Sequence, residues 1–251
     1  MKLGVVGKGG VGKTTLAALL AQAYTARGLR VVAIDTDSNP NLGLSLGLDL
    51  SATEAVPVLP RSLIVGNGGG VTARAVLAEY GVDTPAGATL LSAIRVTEAG
   101  AGCTCGGHAT VRSLLGDVLS THADVALVDM EAGLEHLSRS GGTLAYADVL
   151  LVVMEPSRKS VVLAARTKAL ASQLGIPRVY GLGNKARDQG DEDYLTAAAA
   201  EHDLPLAGVL SYEPELAALE RSATAVVTAP RESVRAAVDR VVDFLEGVSV
   251  R

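Results

Sequence analysis

The sequence predicts an α/β protein built on a doubly wound, mostly parallel sheet with helices on both faces. Short apolar runs alternate with helical patterns along most of the chain. Several runs are unbroken Val and Leu stretches, which is typical of strands buried on both faces. A glycine-rich turn joins the first run to the first helix. In such sheets ligands bind at the carboxyl ends of the strands.

The regular part of the pattern comprises six strands and six helices. The predicted strands are Leu3–Val6, Arg30–Asp35, Val125–Asp129, Val149–Met154, Val179–Leu182 and Leu206–Leu210. The predicted helices are Lys13–Arg27, Thr110–Ser120, Val161–Leu174, Glu192–Glu201, Glu215–Arg221 and Arg231–Glu246. Residues 36–108 are less periodic, with a strand at Leu63–Val65 and a helix at Val71–Glu79. We expect one P-loop domain over residues 1–251, with a functional insertion around 43–108.

Composition excludes several functional classes. Of 251 residues, 48% are hydrophobic and 20% are charged, so the chain can bury a core. Only 3% are aromatic, which argues against stacking platforms for single-stranded nucleic acid. The net charge of −5 and the absence of a long apolar run predict no nucleic-acid partner and no membrane partner.

The cellular compartment is expected to be the cytoplasm. Two cysteines do not make a disulfide framework, and reduced thiols suit a reducing compartment. The first predicted strand starts so near the N-terminus that no room remains for a signal peptide.

The strongest motif is a phosphate-binding P-loop, G-x-x-x-x-G-K-[ST], between the first strand and the first helix. Its glycines let backbone N–H groups surround phosphates at the helix N-terminus. Lys13 is expected to reach the β- and γ-phosphates, and the Thr14 hydroxyl is expected to bind Mg²⁺. The predicted nucleotide-binding residues of this loop are Gly7, Gly9, Gly10, Val11, Gly12, Lys13, Thr14 and Thr15.

Carboxylates follow two further strands. The second predicted strand ends at Asp35, with Asp37 two residues later, and the third ends at Asp129. Because parallel strands end at one edge of the sheet, we expect these groups to complete the Mg²⁺ site. The alternative is that Asp35 and Asp129 are helix caps or loop carboxylates.

The string Lys-Gly-Gly-Val-Gly-Lys-Thr-Thr resembles the deviant Walker A motif of the MinD/ParA-like ATPases. The resemblance implies that Lys8 contacts phosphate across a nucleotide-sandwich homodimer. It further implies that Asp37 orients the attacking water, with Asp35 in a more structural role. Asp129 then corresponds to the Walker B aspartate, and Gly133 to a glycine that senses the γ-phosphate. Lys8, Lys13, Asp37 and Asp129 form the predicted catalytic set.

The same resemblance assigns the base end of an ATP or ADP site. Asn184, followed by Lys185, comes after the fifth predicted strand, and an Asn there implies recognition of adenine. The later loop of Tyr212, Glu213 and Pro214 is expected to pack around the base or ribose. Asn and Pro also serve ordinary turns, which is the alternative for both segments.

A second constellation is the Cys-x-Cys pair of Cys103 and Cys105 in a glycine-rich segment. In an extended segment both thiolates point the same way and could chelate one soft ion. Four-coordinate metals need four donors, which a twofold dimer would supply. The alternative is a pair of incidental small thiols.

This segment and four others resemble the CooC-type ATPases, the nickel-insertion accessory proteins of carbon monoxide dehydrogenase. The other strings are Asp129–Leu137, Glu155–Ser160, Arg178–Tyr180 and Gly183–Lys185. The resemblance implies a Ni²⁺ site at the dimer interface made by Cys103 and Cys105 of both copies, and a nickel-enzyme client. Thiolates also bind Zn²⁺ strongly, so the metal stays open. His108 could add a ligand, but a solvent-facing position at a helix start is favoured.

Three other functions stay open. A positioning ATPase of the MinD/ParA type would need an amphipathic anchor or a basic face, and the mixed-charge stretch Ser233–Arg251 supplies neither. An electron-transfer protein resembling the nitrogenase iron protein could hold an iron–sulfur cluster, although there the cysteines come from separate segments. A regulatory ATPase with a structural zinc is the third.

Overall fold

The computed structural model describes residues 1–60, 71–95, 105–115, 122–134, 137, 143–221, 224–228 and 230–249. Its strands are β1 (Lys2–Gly7), β2 (Val31–Asp35), β3 (Val82–Asp83), β4 (Thr89–Ser92), β5 (Val125–Asp129), β6 (Val149–Met154), β7 (Val179–Ala186) and β8 (Leu206–Ser211). Its helices are α1 (Lys13–Ala26), α2 (Leu42–Ser45), α3 (Leu50–Ala55), α4 (Ala73–Tyr80), α5 (Cys105–Ser113), α6 (Arg158–Gln173), α7 (Gln189–Glu201), α8 (Pro214–Arg221) and α9 (Glu232–Ser249).

The strands of the described residues form one sheet in the order β3-β4-β2-β5-β1-β6-β7-β8. All neighbouring strands run parallel except β3, which pairs antiparallel with β4. β1 lies between β5 and β6, so the turn that follows β1 leaves the middle of the sheet. This is the position where a doubly wound sheet offers its ligand site.

Apolar side chains are buried on both faces of the sheet. One cluster joins α1 and α9 to the strands through residues such as Leu16, Leu20 and Leu245. The other cluster includes Val111 of α5 and Leu195 of α7. Helices therefore cover both faces, and the predicted fold class is confirmed.

Long buried runs gave accurate strand bounds. β5 and β6 have the predicted bounds, and every residue of each is buried. β7 is four residues longer than predicted, because it continues through polar residues at its carboxyl end. Within the described part of the chain, no helix is long and apolar enough to cross a membrane.

The insertion holds more regular structure than predicted. Its described residues include α2, α3, α4, β3 and β4, and β4 adds to the sheet beside β2. The helix expected at Val71–Glu79 is present as α4, whereas the strand expected at Leu63–Val65 lies outside the described residues. The helix expected to begin at Thr110 begins five residues earlier, at Cys105.

Candidate nucleotide-binding site

The P-loop connects the end of β1 to the start of α1 through residues 8–12. Gly12 is the N-cap of α1 and has a φ of 95°, a left-handed conformation that favours glycine. A Cβ at Gly12 would lie 2.6 Å from Nδ2 of Asn184. The loop is therefore packed directly against the end of β7, and the first turn of α1 presents its N–H groups beside it.

Two buried carboxylates lie side by side behind the loop. Asp35 and Asp129 are partners in the register of β2 and β5, and they are 1% and 2% exposed. Burial, followed by the proximity of Asp35, raises the pKa of Asp129. Burial also raises the pKa of Asp35, although backbone N–H groups oppose that shift.

Asp35 has a structural role. Its Oδ2 accepts from the backbone N–H of Leu42 at 2.9 Å, and its Oδ1 accepts from the backbone N–H of Asp37 at 3.0 Å. These bonds hold the segment after β2 against the sheet. Asp37 is thereby placed at the rim of the cleft.

Asp129 fits the role of a magnesium-site carboxylate. The Thr14 hydroxyl hydrogen-bonds to its carboxylate. Its Oδ1 is buried and has no hydrogen-bond partner among the described residues. An unsatisfied buried carboxylate oxygen beside a P-loop hydroxyl suits a hard cation with oxygen ligands.

Lys13 faces this carboxylate group. Burial lowers the pKa of Lys13, and the nearby charges of Asp129, Asp37 and Glu131 act in the opposite direction. Its Nζ donates to the backbone oxygen of Lys8 at 3.2 Å. The ammonium is thus held inside the P-loop, where a polyphosphate would also lie.

Lys8 forms an ion pair that the sequence did not predict. Its Nζ lies 3.1 Å from Oε1 of Glu155, and the side chains are 39% and 25% exposed. Ser157, the N-cap of α6, also donates to Glu155 at 3.3 Å. In the single chain, Lys8 therefore points to the start of α6.

Glu131 is a second unpredicted member of the site. It follows the end of β5, and its Oε1 accepts from the Ser38 hydroxyl at 3.0 Å. Glu131 lies two residues after β5 and Glu155 directly after β6, the two strands on either side of β1. The sequence could have predicted both residues at the site, because the carboxyl ends of neighbouring strands meet at one edge of the sheet.

A cleft of about 450 Å³ brings most of the predicted nucleotide residues together. Its volume is ordinary for a small-molecule site. Predicted residues that line it are Gly9, Gly10, Gly12, Lys13, Thr14, Thr15, Asp37, Asn184, Lys185, Tyr212 and Glu213. Ala132 and Ser211 line it too. Gly133 and Pro214 do not line the cleft as described, and Pro214 instead begins α8.

The base end of the cleft differs from the prediction in one respect. Asn184 and Lys185 lie within β7 and not after it. Between Gly183 and Ala186 the pairing with β8 shifts in register, so β7 resumes after an irregularity. Polar residues that usually end a strand are accommodated there without ending it.

The loop after β8 is fixed to its neighbours. The backbone N–H of Tyr212 donates to the oxygen of Ala186 at 2.7 Å. The Ser233 hydroxyl donates to Oε1 of Glu213 at 3.2 Å. These bonds connect the loop to β7 on one side and to α9 on the other.

The cysteine pair is described only in part. Cys103 lies outside the described residues, whereas Cys105 is the first residue of α5. The solvent-facing position expected for His108 is wrong, because His108 lies in α5 and is 6% exposed. Among the described side chains, no three or more of His, Cys, Asp and Glu are grouped as metal ligands.

The sequence matches the CobQ/CobB/MinD/ParA nucleotide-binding domain over residues 5–226. The chain belongs to this MinD/ParA family. Carbon monoxide dehydrogenase accessory protein CooC of Rhodospirillum rubrum is 37% identical over 218 residues, 81% of each chain. An uncharacterised ATP-binding protein of Methanocaldococcus jannaschii is 32% identical over 228 residues, 86% of this chain and 87% of that protein.

Solved structures share the fold of this chain. The septum site-determining protein MinD of Pyrococcus horikoshii, complexed with Mg-ADP, has a TM-score of 0.73 at 20% identity, covering 98% of this chain and 97% of that one. Cobyrinic acid a,c-diamide synthase of Mycobacterium smegmatis, with bound ADP and magnesium, has a TM-score of 0.64 at 26% identity, covering 85% and 87%. The resemblance to MinD/ParA-like ATPases is confirmed, and the cleft is that of an ATP-binding P-loop family.

Proposed function

We propose that the protein is a dimeric, Mg²⁺-dependent ATPase that binds nickel and delivers it to carbon monoxide dehydrogenase. The observation that carries the proposal is the 37% identity to CooC over 81% of both chains. The Cys-x-Cys pair of Cys103 and Cys105 supports it, since paired thiolates chelate soft metal ions.

The hydrolysis step is assigned to the residues around the cleft. Thr14 and Asp129 would hold Mg²⁺, which neutralises charge on the β- and γ-phosphates when bound. Lys13 leaves the Lys8 carbonyl and donates to the phosphate oxygens. Asp37 orients water for in-line attack on the γ-phosphorus, and the bond to the leaving ADP oxygen breaks.

The base is assigned to the opposite end of the cleft. Asn184 offers its amide, and the loop at Tyr212 and Glu213, which both line the cleft, packs around the base and ribose. The bonds of Tyr212 to Ala186 and of Ser233 to Glu213 limit the movement of that loop. Gly133, after β5, is proposed to donate its N–H to the γ-phosphate.

Dimerisation is assigned to Lys8. In the proposed dimer Lys8 leaves Glu155 and crosses to the phosphates held by the second copy. A cation at that point stabilises the negative charge that develops as the phosphoryl group is transferred. ATP binding would therefore favour the dimer, and hydrolysis would loosen it.

The metal site is assigned to the same interface. Two copies together supply four thiolates, which satisfies a four-coordinate ion. Val111 of α5 and Leu114, just after this helix, belong to the same buried cluster as Val128 of β5 and Met130 beside Asp129. This shared core supports a coupling between the nucleotide site and the cysteines.

Hydrolysis is tested by the Lys13→Ala variant, with Lys168→Ala as the matched control. Lys168 donates to the backbone oxygen of His202 at 3.1 Å and is a lysine outside the cleft. Mg²⁺-dependent release of phosphate from ATP is expected to disappear in the first variant and to persist in the second. Undiminished turnover by Lys13→Ala would contradict the assignment.

Nickel binding is tested by titrating Ni²⁺ into reduced, metal-free protein with ADP or ATP present. Bound nickel per chain and the mass by light scattering are measured on one sample. We expect one ion per two chains and a dimer. The Cys103→Ser, Cys105→Ser double variant should lose both while still binding ATP, and Thr104→Ser should lose neither. Full metal retention by the double variant would contradict the site.

Nickel delivery is tested on nickel-free carbon monoxide dehydrogenase. Nickel-loaded protein with ATP is expected to restore its activity, and the Lys13→Ala variant is not. Equal restoration by free Ni²⁺ at the same concentration would contradict an accessory role. An ATPase without delivery would then favour a regulatory or positioning function.

A further inference from the structure

The carboxyl end of β7 is bonded to the P-loop by two adjacent side chains. Asn184 Nδ2 donates to the backbone oxygen of Val11 at 2.8 Å. Lys185 Nζ donates to the backbone oxygen of Gly10 at 2.6 Å. Two consecutive carbonyl groups of the loop are therefore held by one short segment 173 or more residues further along the chain.

The backbone of β7 is distorted at this point. The register with β8 shifts between Gly183 and Ala186, the two residues that flank the pair. Lys185 has a φ of 63°, which is unusual for a residue with a side chain. A strained backbone conformation persists where contacts with the surrounding structure hold it, and such residues cluster at functional sites. Here it directs an ammonium group to the P-loop.

The Gly10–Val11 peptide depends on such a contact. Gly10 has a φ of 80°, and a Cβ added there would meet nothing within 4 Å. No side chain holds the peptide at Gly10, whereas the Val11 side chain that follows it is fully buried. The N–H of this peptide, on Val11, donates to the oxygen of Lys8 at 3.4 Å, which is long for a hydrogen bond. The Lys185 ammonium supplies the shorter bond, on the other side of the peptide.

The direction of this peptide matters for binding phosphate. A P-loop binds anions because its N–H groups point inward and its carbonyl oxygens point away. A carbonyl that turned inward would bring a partial negative charge to the phosphates. A fixed cation on the outer side of Gly10 opposes that rotation, and it adds positive charge at the edge of the cleft.

We propose that Lys185 is a positioning residue that holds the P-loop in its phosphate-binding form through the Gly10 carbonyl. This role differs from contact with the base, which falls to Asn184. The inference rests on the nucleotide site of the proposed function. It predicts that Lys185 contributes to the affinity for nucleotides through their phosphates and not through their nucleoside.

The test compares ADP with adenosine on the full chain. The Kd for ADP is measured by calorimetry, and adenosine is measured by its displacement of fluorescent mant-ADP. Lys185→Met keeps the length of the side chain but removes its charge and its donor. We expect about a tenfold weaker Kd for ADP, the size of one charge-assisted hydrogen bond, and less than about a twofold change for adenosine.

Two variants separate positioning from a general structural role. Lys185→Arg keeps the charge and the donor and should restore ADP affinity to within about threefold of the unmodified chain. Lys168→Met removes an ammonium that donates to the backbone carbonyls of His202 and Asp203, far from the cleft. It should lower thermal stability about as much as Lys185→Met does, with no loss of ADP affinity.

The outcomes that overturn the inference are distinct from failure of the nucleotide site. Unchanged ADP affinity in Lys185→Met would show that the contact does not position the loop. An equal loss for ADP and adenosine would place Lys185 on the base instead. No ADP binding by the unmodified chain would overturn the nucleotide site itself, and the inference with it.

Discussion

At the scale of single residues, the two buried carboxylates lower the stability of the fold and provide a metal site. Burial, followed by the neighbouring charge, raises the pKa of Asp129 above the ordinary aspartate value. In the folded chain, Asp129 therefore keeps its proton to higher pH than it does in the unfolded chain. The contribution of the protonated carboxyl to the free energy of unfolding is complete at acidic pH. It falls as pH rises from the pKa of the unfolded state to that of the folded state.

The Asp129→Asn variant should accordingly stabilise the metal-free protein while removing hydrolysis. Above neutral pH we expect a gain of about 1 kcal/mol, or roughly 2–4 °C in Tm, because a buried charge is replaced by a neutral amide. Scanning calorimetry without Mg²⁺ measures the difference. It should vanish at pH 4, where the carboxylic acid is already neutral. A variant less stable than the parent at every pH would contradict the argument.

The same raised pKa makes Mg²⁺ and a proton compete for Asp129. Below that pKa, Mg²⁺ must displace the proton before it can bind the carboxylate. The Mg²⁺ concentration for half-saturation of the ADP-bound chain should therefore fall as pH rises, by up to about tenfold per pH unit. A magnesium titration between pH 6.5 and 8.5 checks this prediction. The dependence should be lost in Asp129→Asn, and a requirement independent of pH in the parent would be contrary evidence.

At the scale of elements, burial decided which parts of the fold could be predicted. β5 and β6 are unbroken apolar runs buried along their whole length, so sequence and structure agree at both ends. α5 was expected to start later, because Gly106 and Gly107 are typical of loops, yet the helix includes both. β4 was not predicted, since its four residues are too few to show a period.

The residues of the candidate site also divide into those that the sequence could predict and those that it could not. The P-loop and the carboxylates at strand ends were predictable, because each depends on a local motif or on one strand terminus. The contacts of Lys8 with Glu155 and of Lys185 with Gly10 span 147 and 175 residues. No local pattern specifies such a pair. The strand order creates it, because it brings β6 beside β1 and β7 beside β6.

The P-loop as an element can be tested with Gly12→Ala against Gly28→Ala. Both glycines have a positive φ, 95° and 80°, so both substitutions should cost about 1–3 kcal/mol of backbone strain. Only at Gly12 would the new Cβ collide with Asn184, since nothing lies within 4 Å at Gly28. We expect at least about a tenfold loss of ADP affinity for Gly12→Ala alone. Equal ADP affinities in the two variants, measured by calorimetry, would contradict the packing argument.

At the scale of the whole molecule, the proposed dimer competes with a contact inside one chain. Lys8 is paired with Glu155 at 3.1 Å, and it must leave this partner to act on a second copy. The pair is partly exposed, so it holds Lys8 weakly, by less than about 1 kcal/mol. Nucleotide binding can supply enough free energy to break an ion pair of this strength. Because the ion pair competes with the dimer, substitutions of Lys8 and of Glu155 should affect dimerisation differently.

Glu155→Gln and Lys8→Ala should therefore shift dimerisation in opposite directions. With a nonhydrolysable ATP analogue, Glu155→Gln should dimerise at about two- to five-fold lower protein concentration, because Lys8 is released. Lys8→Ala should remain monomeric while still binding the nucleotide. Arg30→Gln is the control, since it breaks an exposed ion pair with Asp124 at the other end of the sheet and should change neither property. Light scattering over a dilution series measures all three. Loss of the dimer in Glu155→Gln, as in Lys8→Ala, would mean that Glu155 acts within the dimer and does not compete with it.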